Sequence, residues 1–249
     1  MVFKTHVKNI IHFATVKSTM DEALSFVKDK LEHPLLIIAE EQKSGRGRGK
    51  NLWSSPKGGF YGTYVLPLEE HLSSKQILFI HYASALAVQQ TLKKLAEINI
   101  QIKWPNDIHI LDKKLGGILI EYISGDKLFL LIGIGINLNT RIIDIDSAYR
   151  ESSTSLLIET NQTIETNDLI SILSENLLDI SSEIIMNNYT NTIKHFNSNS
   201  LLFEREIKLV NGKEFMNKGI DEDGKLHLEN KEEKLFLTIE DSKMILGMI

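Results

Sequence analysis

The 249-residue sequence contains no cysteine. This excludes disulfides, thiolate metal sites and a cysteine nucleophile, and it fits a reducing cytoplasm. Long apolar runs are also missing. The longest, such as Phe129 to Leu138, reach about half of the ~20 residues that cross a bilayer. The opening residues, MVFKTHVKNIIH, scatter charges and histidines where a signal peptide would have its apolar core. A cytoplasmic protein with no membrane partner is expected. Positive charge is in short supply: 28 Lys and Arg stand against 33 Asp and Glu, for a net charge of −5, and there are only two tryptophans. Neither feature favours a surface built for nucleic acid. The remaining composition, 42% hydrophobic and 24% charged, is that of a chain with a packed core. Its length suits one large domain or a large one with a small partner.

Several familiar motifs fail on counting. A Walker loop needs glycine five residues before the Gly-Lys pair and Ser or Thr after it; Gly49-Lys50 has Ser44 and Asn51 there. Gly133-Ile134-Gly135 begins a dinucleotide fingerprint, but the third glycine position is Leu138, so small residues in a buried strand are the plainer reading. No two of the eight histidines stand four residues apart, which argues against a helical zinc site. The G-x-S-x-G nucleophile elbow is missing too.

Cationic charge is concentrated in one short stretch, Lys43-Ser44-Gly45-Arg46-Gly47-Arg48-Gly49-Lys50. Four of these eight residues are cationic and three are glycine, and without them 24 cationic side chains face 33 acidic ones. Around this segment the pattern alternates. Ile10 to Val16 reads as a strand, and Ser18 or Thr19 caps a helix to about Lys30. Leu35 to Ala39 reads as a buried strand ending at the Gly/Arg loop, and Phe60 to Leu66 as one closed by Pro67. Ser73 and Ser74 are candidate caps for a long helix carrying Ile77, Ile80, Ala83, Ala87, Leu92 and Leu95. Ile100 to Trp104, Leu115 to Ile123 and Lys127 to Leu138 read as three strands. Ile142 to Glu165 is polar and turn-rich. A long helix follows from Asn167 to about Asn187, then a shorter one near Tyr189 to Phe196. Beyond Leu202, four short strands (Ile207 to Val210, Glu214 to Ile220, Lys225 to Leu228, Lys234 to Ile239) separated by N-G, D-E-D-G and N-K-E-E turns suggest a small β-barrel or sandwich. A boundary near Leu202 divides residues 1–202 from residues 203–249, and a tail this short needs to dock on the rest.

Five segments carry chemistry: Ser18-Thr19-Met20; Glu40-Glu41-Gln42 leading into the Gly/Arg loop and Trp53-Ser54-Ser55-Pro56; Lys103-Trp104-Pro105-Asn106-Asp107; Lys113-Lys114-Leu115-Gly116-Gly117-Ile118-Leu119-Ile120-Glu121; and Gly133-Ile134-Gly135-Ile136-Asn137-Leu138-Asn139. Singly, each has a plain alternative: a helix cap, a solvated or nucleic-acid-binding loop, a tight turn, an exposed hairpin tip. Jointly they suit one chemistry. Glycines allow close backbone approach, and arginines offer planar forks for phosphate oxygens. An aspartate after a strand can hold Mg²⁺, and a hairpin lysine can neutralise a carboxylate or developing phosphate charge. Nucleotide-dependent activation of a carboxylic acid fits all of them.

G-R-G-R, K-W-P-N-D and K-L-G-G-I-L-I-E in this order resemble the biotin protein ligase family, also called biotin–[acetyl-CoA-carboxylase] ligase. The resemblance covers nearly the whole chain. It implies an α/β (α+β) fold: a mixed central β-sheet flanked by helices, with a small SH3-like C-terminal β-barrel domain. It further implies that biotin and ATP are substrates, that Mg²⁺ assists, and that biotinyl-5′-AMP is the intermediate. The acceptor is then a lysine on the biotin carboxyl carrier protein of acetyl-CoA carboxylase. By match to the family motifs, Ser18, Thr19, Met20 and Gln42 line the biotin site. Arg46, Gly47 and Arg48 belong to the biotinyl-AMP loop, and Lys114 contacts the carboxyl and phosphate region. Asn106, Asp107 and Asn137 lie on the adenylate and metal side, with Asp107 the Mg²⁺ candidate, and Trp53 covers the adenine. Arg48, Lys114 and Asp107 are the catalytic candidates.

Two departures stand out. Many relatives carry arginine two residues before the loop tryptophan, where this chain has Asn51, with Lys50 next to it. Bifunctional members also begin with a winged-helix domain, whereas here the first catalytic strand starts near Ile10. A ligase that does not bind DNA is therefore expected. Relatives form homodimers through the central sheet, so a homodimer is a further expectation. The rival readings are a lipoate or octanoate ligase, which shares the fold, and a nucleic-acid-binding or biotin-sensing module. The loop composition also predicts mobility when empty and closure over the bound adenylate, because conformational entropy and self-repulsion both oppose order.

Overall fold

A computed structural model describes residue 7, residues 9–27 and residues 31–248. Its first part runs β1 (Asn9–Val16), α1 (Thr19–Val27), β2 (Leu35–Arg46), β3 (Leu52–Ser55), β4 (Phe60–Leu68), α2 (Ser74–Ala96), β5 (Gln101–Lys103), β6 (Asp107–Ile110), β7 (Lys113–Ser124) and β8 (Leu128–Ile136). Three helices follow, α3 (Leu156–Thr160), α4 (Thr166–Ile185) and α5 (Thr190–Ser198). The chain ends with β9 (Glu206–Leu209), β10 (Glu214–Ile220), β11 (Leu226–Glu229), β12 (Lys234–Leu237), a 3₁₀ turn (Ile239–Met244) and β13 (Ile245–Met248).

The main sheet has the order β1-β2-β4-β8-β7-β6-β5, with β3 added to β2. It is mixed: β1 and β2 are parallel, joined by a crossover through α1, and the other pairs are antiparallel. Apolar runs such as Leu35 to Ala39 and Phe129 to Ile134 need both sheet faces covered. Alternate residues do go opposite ways. Leu36, Leu130 and Ile132 join the large core under α2 and α4, whereas Leu35, Ile37, Phe129 and Leu131 pack with Met20 and Ala23 of α1. The helix α2 starts with a reciprocal Ser73–Gln76 capping box and is buried along most of Phe79 to Leu92.

Strands β9 to β13 form a second, curled antiparallel sheet in the order β12-β11-β10-β9-β13. It docks on the first part through shared core and specific bonds. Phe215, Ile220 and Leu226 belong to the same buried cluster as Phe79 and Tyr82. The Tyr82 hydroxyl donates to the Gly224 carbonyl at 2.7 Å, and the Asn197 amide bonds both the N–H and the carbonyl of Ile220.

Several local expectations change. β2 does not end at Ala39 but continues to Arg46, because β3 pairs with it and extends the ladder through the cationic segment. Pro67 lies inside β4: β2 pairs β4 only as far as Val65, leaving one edge where a missing N–H is tolerated. Asp107, the last residue of the possible Trp104 to Asp107 turn, begins a strand that runs to Ile110, and α3 interrupts the turn-rich stretch. The C-terminal sheet has a fifth strand, β13, paired with β9. The first helix is described to Val27, so its expected last turn at residues 28–30 lies outside the described residues.

Candidate functional site

Two adjoining cavities open on the sheet face beneath the β2–β3 hairpin. The first holds about 150 Å³ and is lined by Ser18, Thr19, Met20, Gln42, Arg46, Gly47, Arg48, Trp53, Asn106, Asp107 and Lys114, among others. The second holds about 490 Å³ and shares Trp53, Asp107 and Lys114 with the first, adding Lys103, His109 and Asn137. The structure thus brings all the sequence-derived site residues to one place. Of the departures, Asn51 lines both cavities, whereas Lys50 is exposed and lines neither.

The inner wall is set by hydrogen bonds between distant segments. Gln42 Oε1 accepts from the Thr19 N–H (2.8 Å) and hydroxyl (3.1 Å), and the Thr63 hydroxyl donates to Thr19 Oγ1 at 2.9 Å. Gln42 Nε2 donates to Ser55 Oγ (2.7 Å), which donates to the Trp53 carbonyl (3.1 Å). Gln42 therefore ties the start of α1 to the strand bearing Trp53, a link that the sequence did not reveal. Ser18 does not cap α1 with its side chain. Its carbonyl accepts from the Glu22 N–H, while its Oγ is buried without a partner among the described residues, as is Trp53 Nε1. Such groups mark where a polar ligand would complete the bonding.

The Gly133-Ile134-Gly135 run now has a specific reason. A Cβ at Gly133 would lie 2.7 Å from the Met20 sulfur, and one at Gly135 would lie 2.6 Å from Trp53 Nε1. Bare backbone on β8 is what lets both side chains lie against the sheet.

At the junction of the cavities Lys114 Nζ lies 2.7 Å from Asp107 Oδ1 and 5.2 Å from the centre of the Trp53 ring. Arg46 is engaged by two carboxylates, Asp21 at 3.3 Å and Glu121. Its charge is balanced before any phosphate arrives, which loop composition did not disclose. Arg48 reaches the other way, with Nη2 2.5 Å from Ser242 Oγ in the 3₁₀ turn, and its Nη1 is buried without a partner among the described residues. Asn106 Nδ2 donates to the Ile118 carbonyl and Asn137 Nδ2 to that of Thr154, so both amides also hold walls of the site. Among the described residues no group of three or more His, Cys, Asp or Glu could hold a metal ion.

Two buried histidines, singled out by no motif, lie close by. Burial pushes the His81 pKa down to about 4, with Arg48 lowering it further and Asp107 opposing. His109 is also lowered to about 4, chiefly by burial; Asp107 pulls it up, Lys103 and Lys114 push it down, and the Asp112 backbone offsets in part. Asp107 and His109 stand two apart on β6, the spacing that puts both on one face. Recognising that strand is what finding His109 required.

This arrangement defines a class: an α/β protein with a small, polar-walled cavity beside a larger one and a lysine at their junction. Residues 12–139, about half of the chain, match the Biotin/lipoate A/B protein ligase family, and the chain belongs to that family. It is 35% identical over 137 residues to the human biotin–protein ligase, covering 51% of this chain and 19% of that protein. Similarity to the bifunctional ligase/repressor BirA of Salmonella typhimurium is 31% over 201 residues, covering 77% and 61% respectively. The chain thus spans from about a fifth to about three fifths of the length of these curated relatives. Among solved structures, the Aquifex aeolicus biotin protein ligase in complex with biotin and ATP is similar with a TM-score of 0.79 and 25% identity, covering 96% of this chain and 97% of that one. Among the described residues no helix is long and apolar enough to cross a membrane.

Proposed function

We propose that this chain activates biotin with ATP and transfers the biotinyl group to a lysine of a biotin carboxyl carrier domain, that of acetyl-CoA carboxylase. The observation that carries this reading is the polar inner wall of the small cavity. Ser18 Oγ and Trp53 Nε1 are buried there without partners beside the Thr19–Gln42 pair. A ureido ring has N–H donors and a carbonyl acceptor to offer such a wall, whereas the dithiolane of lipoate or the chain of octanoate would leave it unpaired. The family includes both kinds of ligase, so this wall is the discriminating feature.

In the first step a carboxylate oxygen of biotin attacks the α-phosphorus of ATP, forming biotinyl-5′-AMP and expelling pyrophosphate. Lys114, at the cavity junction, offsets negative charge on the carboxylate and on the phosphorus oxygens as they converge. Its ion pair with Asp107 holds the ammonium on station. Asp107, which lines the larger cavity together with Asp112 and Asp146, would be the residue to hold Mg²⁺, and the ion would offset the charge of the ATP phosphates. In the second step the neutral amine of the acceptor lysine attacks the acyl carbon, AMP leaves, and the amide nitrogen gives up a proton. Arg48 is the loop cation that meets the adenylate, exchanging its Ser242 bond for phosphate oxygen. Pairing of two chains through the central sheet belongs to the same reading.

The test is transfer of labelled biotin to an apo-carrier domain in the presence of ATP, with lipoate and octanoate in parallel. Biotin alone should be incorporated, and Lys114→Ala and Arg48→Ala should each lose ~10²-fold or more of the rate. Full activity in both variants, or preference for lipoate, would overturn the assignment.

A further inference from the structure

His109 has no part in the chemistry above, yet it is 4% exposed and lines the larger cavity; the Asp112 backbone lies beside the ring, but neither ring nitrogen has a partner in hydrogen-bonding geometry among the described residues. A buried polar group is normally paired, so an imidazole left unpaired on a cavity wall is placed for something that occupies the cavity. Its neighbours say what. In the sheet register His109 stands opposite Lys114 of β7, and Lys103 of β5 stands opposite Asp107, two residues away on the same strand. Lys103, His109 and Lys114 line the cavity together with Asp107, Asp112 and Asp146, and the fields of the two lysines both act on the imidazole. A nucleobase wants a ring face and an amide-like edge, which Trp53 and Asn137 offer elsewhere on the same wall. A donor held between two lysines suits an anion instead.

Resting on the reading of the chain as an ATP-dependent ligase, we propose that His109 is a binding residue for the polyphosphate of ATP, its ring N–H donating to a β- or γ-phosphate oxygen between Lys103 and Lys114. The consequence is selective. The group it holds leaves as pyrophosphate after the first step, so His109 serves adenylate formation and is idle in biotinyl transfer. Neighbouring lysines supply charge from flexible stems, whereas the buried ring supplies a fixed direction.

The experiment compares the two half-reactions in His109→Phe, which keeps a ring without donors, and in His109→Asn and His109→Gln, whose amides stand near the positions of Nδ1 and Nε2. The expected result for His109→Phe is a tenfold or greater rise in KM for ATP in ATP–pyrophosphate exchange. KM for biotin should be unchanged, as should the rate of transfer from preformed biotinyl-5′-AMP to the apo-carrier. One of the two amide variants should recover most of the loss. Inorganic pyrophosphate, titrated calorimetrically, should bind the wild-type protein at least fivefold more tightly than His109→Phe. An unchanged KM for ATP, or equal losses in exchange and transfer, would overturn the proposal, the latter by showing a structural role. Should the wild-type protein activate no acid at all, the ligase reading fails. The pyrophosphate titration then still judges His109: equal binding by wild type and variant, or none by either, refutes it.

Discussion

His81 shows what a single buried residue near the site does to the whole stability curve. Its folded pKa, about 4, lies below the ordinary value of 6.5, because burial disfavours the cation and Arg48 lies nearby. The unfolded chain therefore binds the extra proton between those two values, and stability falls as pH drops from 6.5 toward 4. The shift corresponds to about 3 kcal/mol by the usual conversion. In His81→Gln, urea unfolding between pH 7 and pH 4.5 should show a decline smaller by about 2 kcal/mol. An identical pH dependence in the variant would contradict the assignment. At this scale the sequence was informative about residue type and mute about pairing. Arg46 reads as a phosphate ligand from its neighbours in the chain, but its partners Asp21 and Glu121 lie 25 and 75 positions away, on α1 and β7, and meet it only in the folded chain. Gln42 likewise reads as a ligand contact, and the fold gives its amide the added work of joining Thr19 to Ser55.

Among the elements, the β2–β3 hairpin matters most for function. Loop composition alone predicts a mobile segment, yet β3 pairs back on β2 and the turn is closed by the Gly47 N–H to Asn51 carbonyl and Asn51 N–H to Arg48 carbonyl bonds. The ladder includes Gly45, where a Cβ would come within 2.6 Å of the Trp53 carbonyl, so close strand approach depends on glycine. Charge still opposes this order at the tip, which carries Arg48 and Lys50 with the latter exposed. Trypsin should cut the apo-protein first at Lys50, and biotin with ATP should slow that cleavage about tenfold, because local opening is what exposes a site to protease. Equal cleavage with and without ligands would refute closure over the adenylate. The strands that periodicity missed, β3, β6 and β13, have four residues each, too few to establish an alternation. The long helices and β8, with many repeats of their pattern, were legible from the start.

For the molecule as a whole, the question is whether the C-terminal sheet is a separate body. Its apolar residues share one buried cluster with α2, and Asn197 in α5 satisfies both backbone groups of Ile220. Unfolding by calorimetry should therefore give one cooperative transition, since neither part can lose the other without exposing core. Asn197→Ala should lower stability by about 2 kcal/mol, leaving the Ile220 N–H and carbonyl unpaired. Two resolved transitions in the wild-type protein would show the sheet to be independent.

The sequence by itself determined the chemistry on offer. Glycines and cations lay in one segment, Asp107 and Lys114 lay between two predicted strands, and the apolar periodicity dictated where the long helices and strands form. These properties are local, carried by residue type and by spacings of a few positions. Only the tertiary structure decided how that chemistry is arranged: Arg46 neutralised by two carboxylates, Arg48 turned to Ser242, His109 left unpaired between lysines, and two cavities meeting at Lys114. Those facts depend on strand order and register, which bring residues tens of positions apart within bonding distance, and no short-range pattern encodes them.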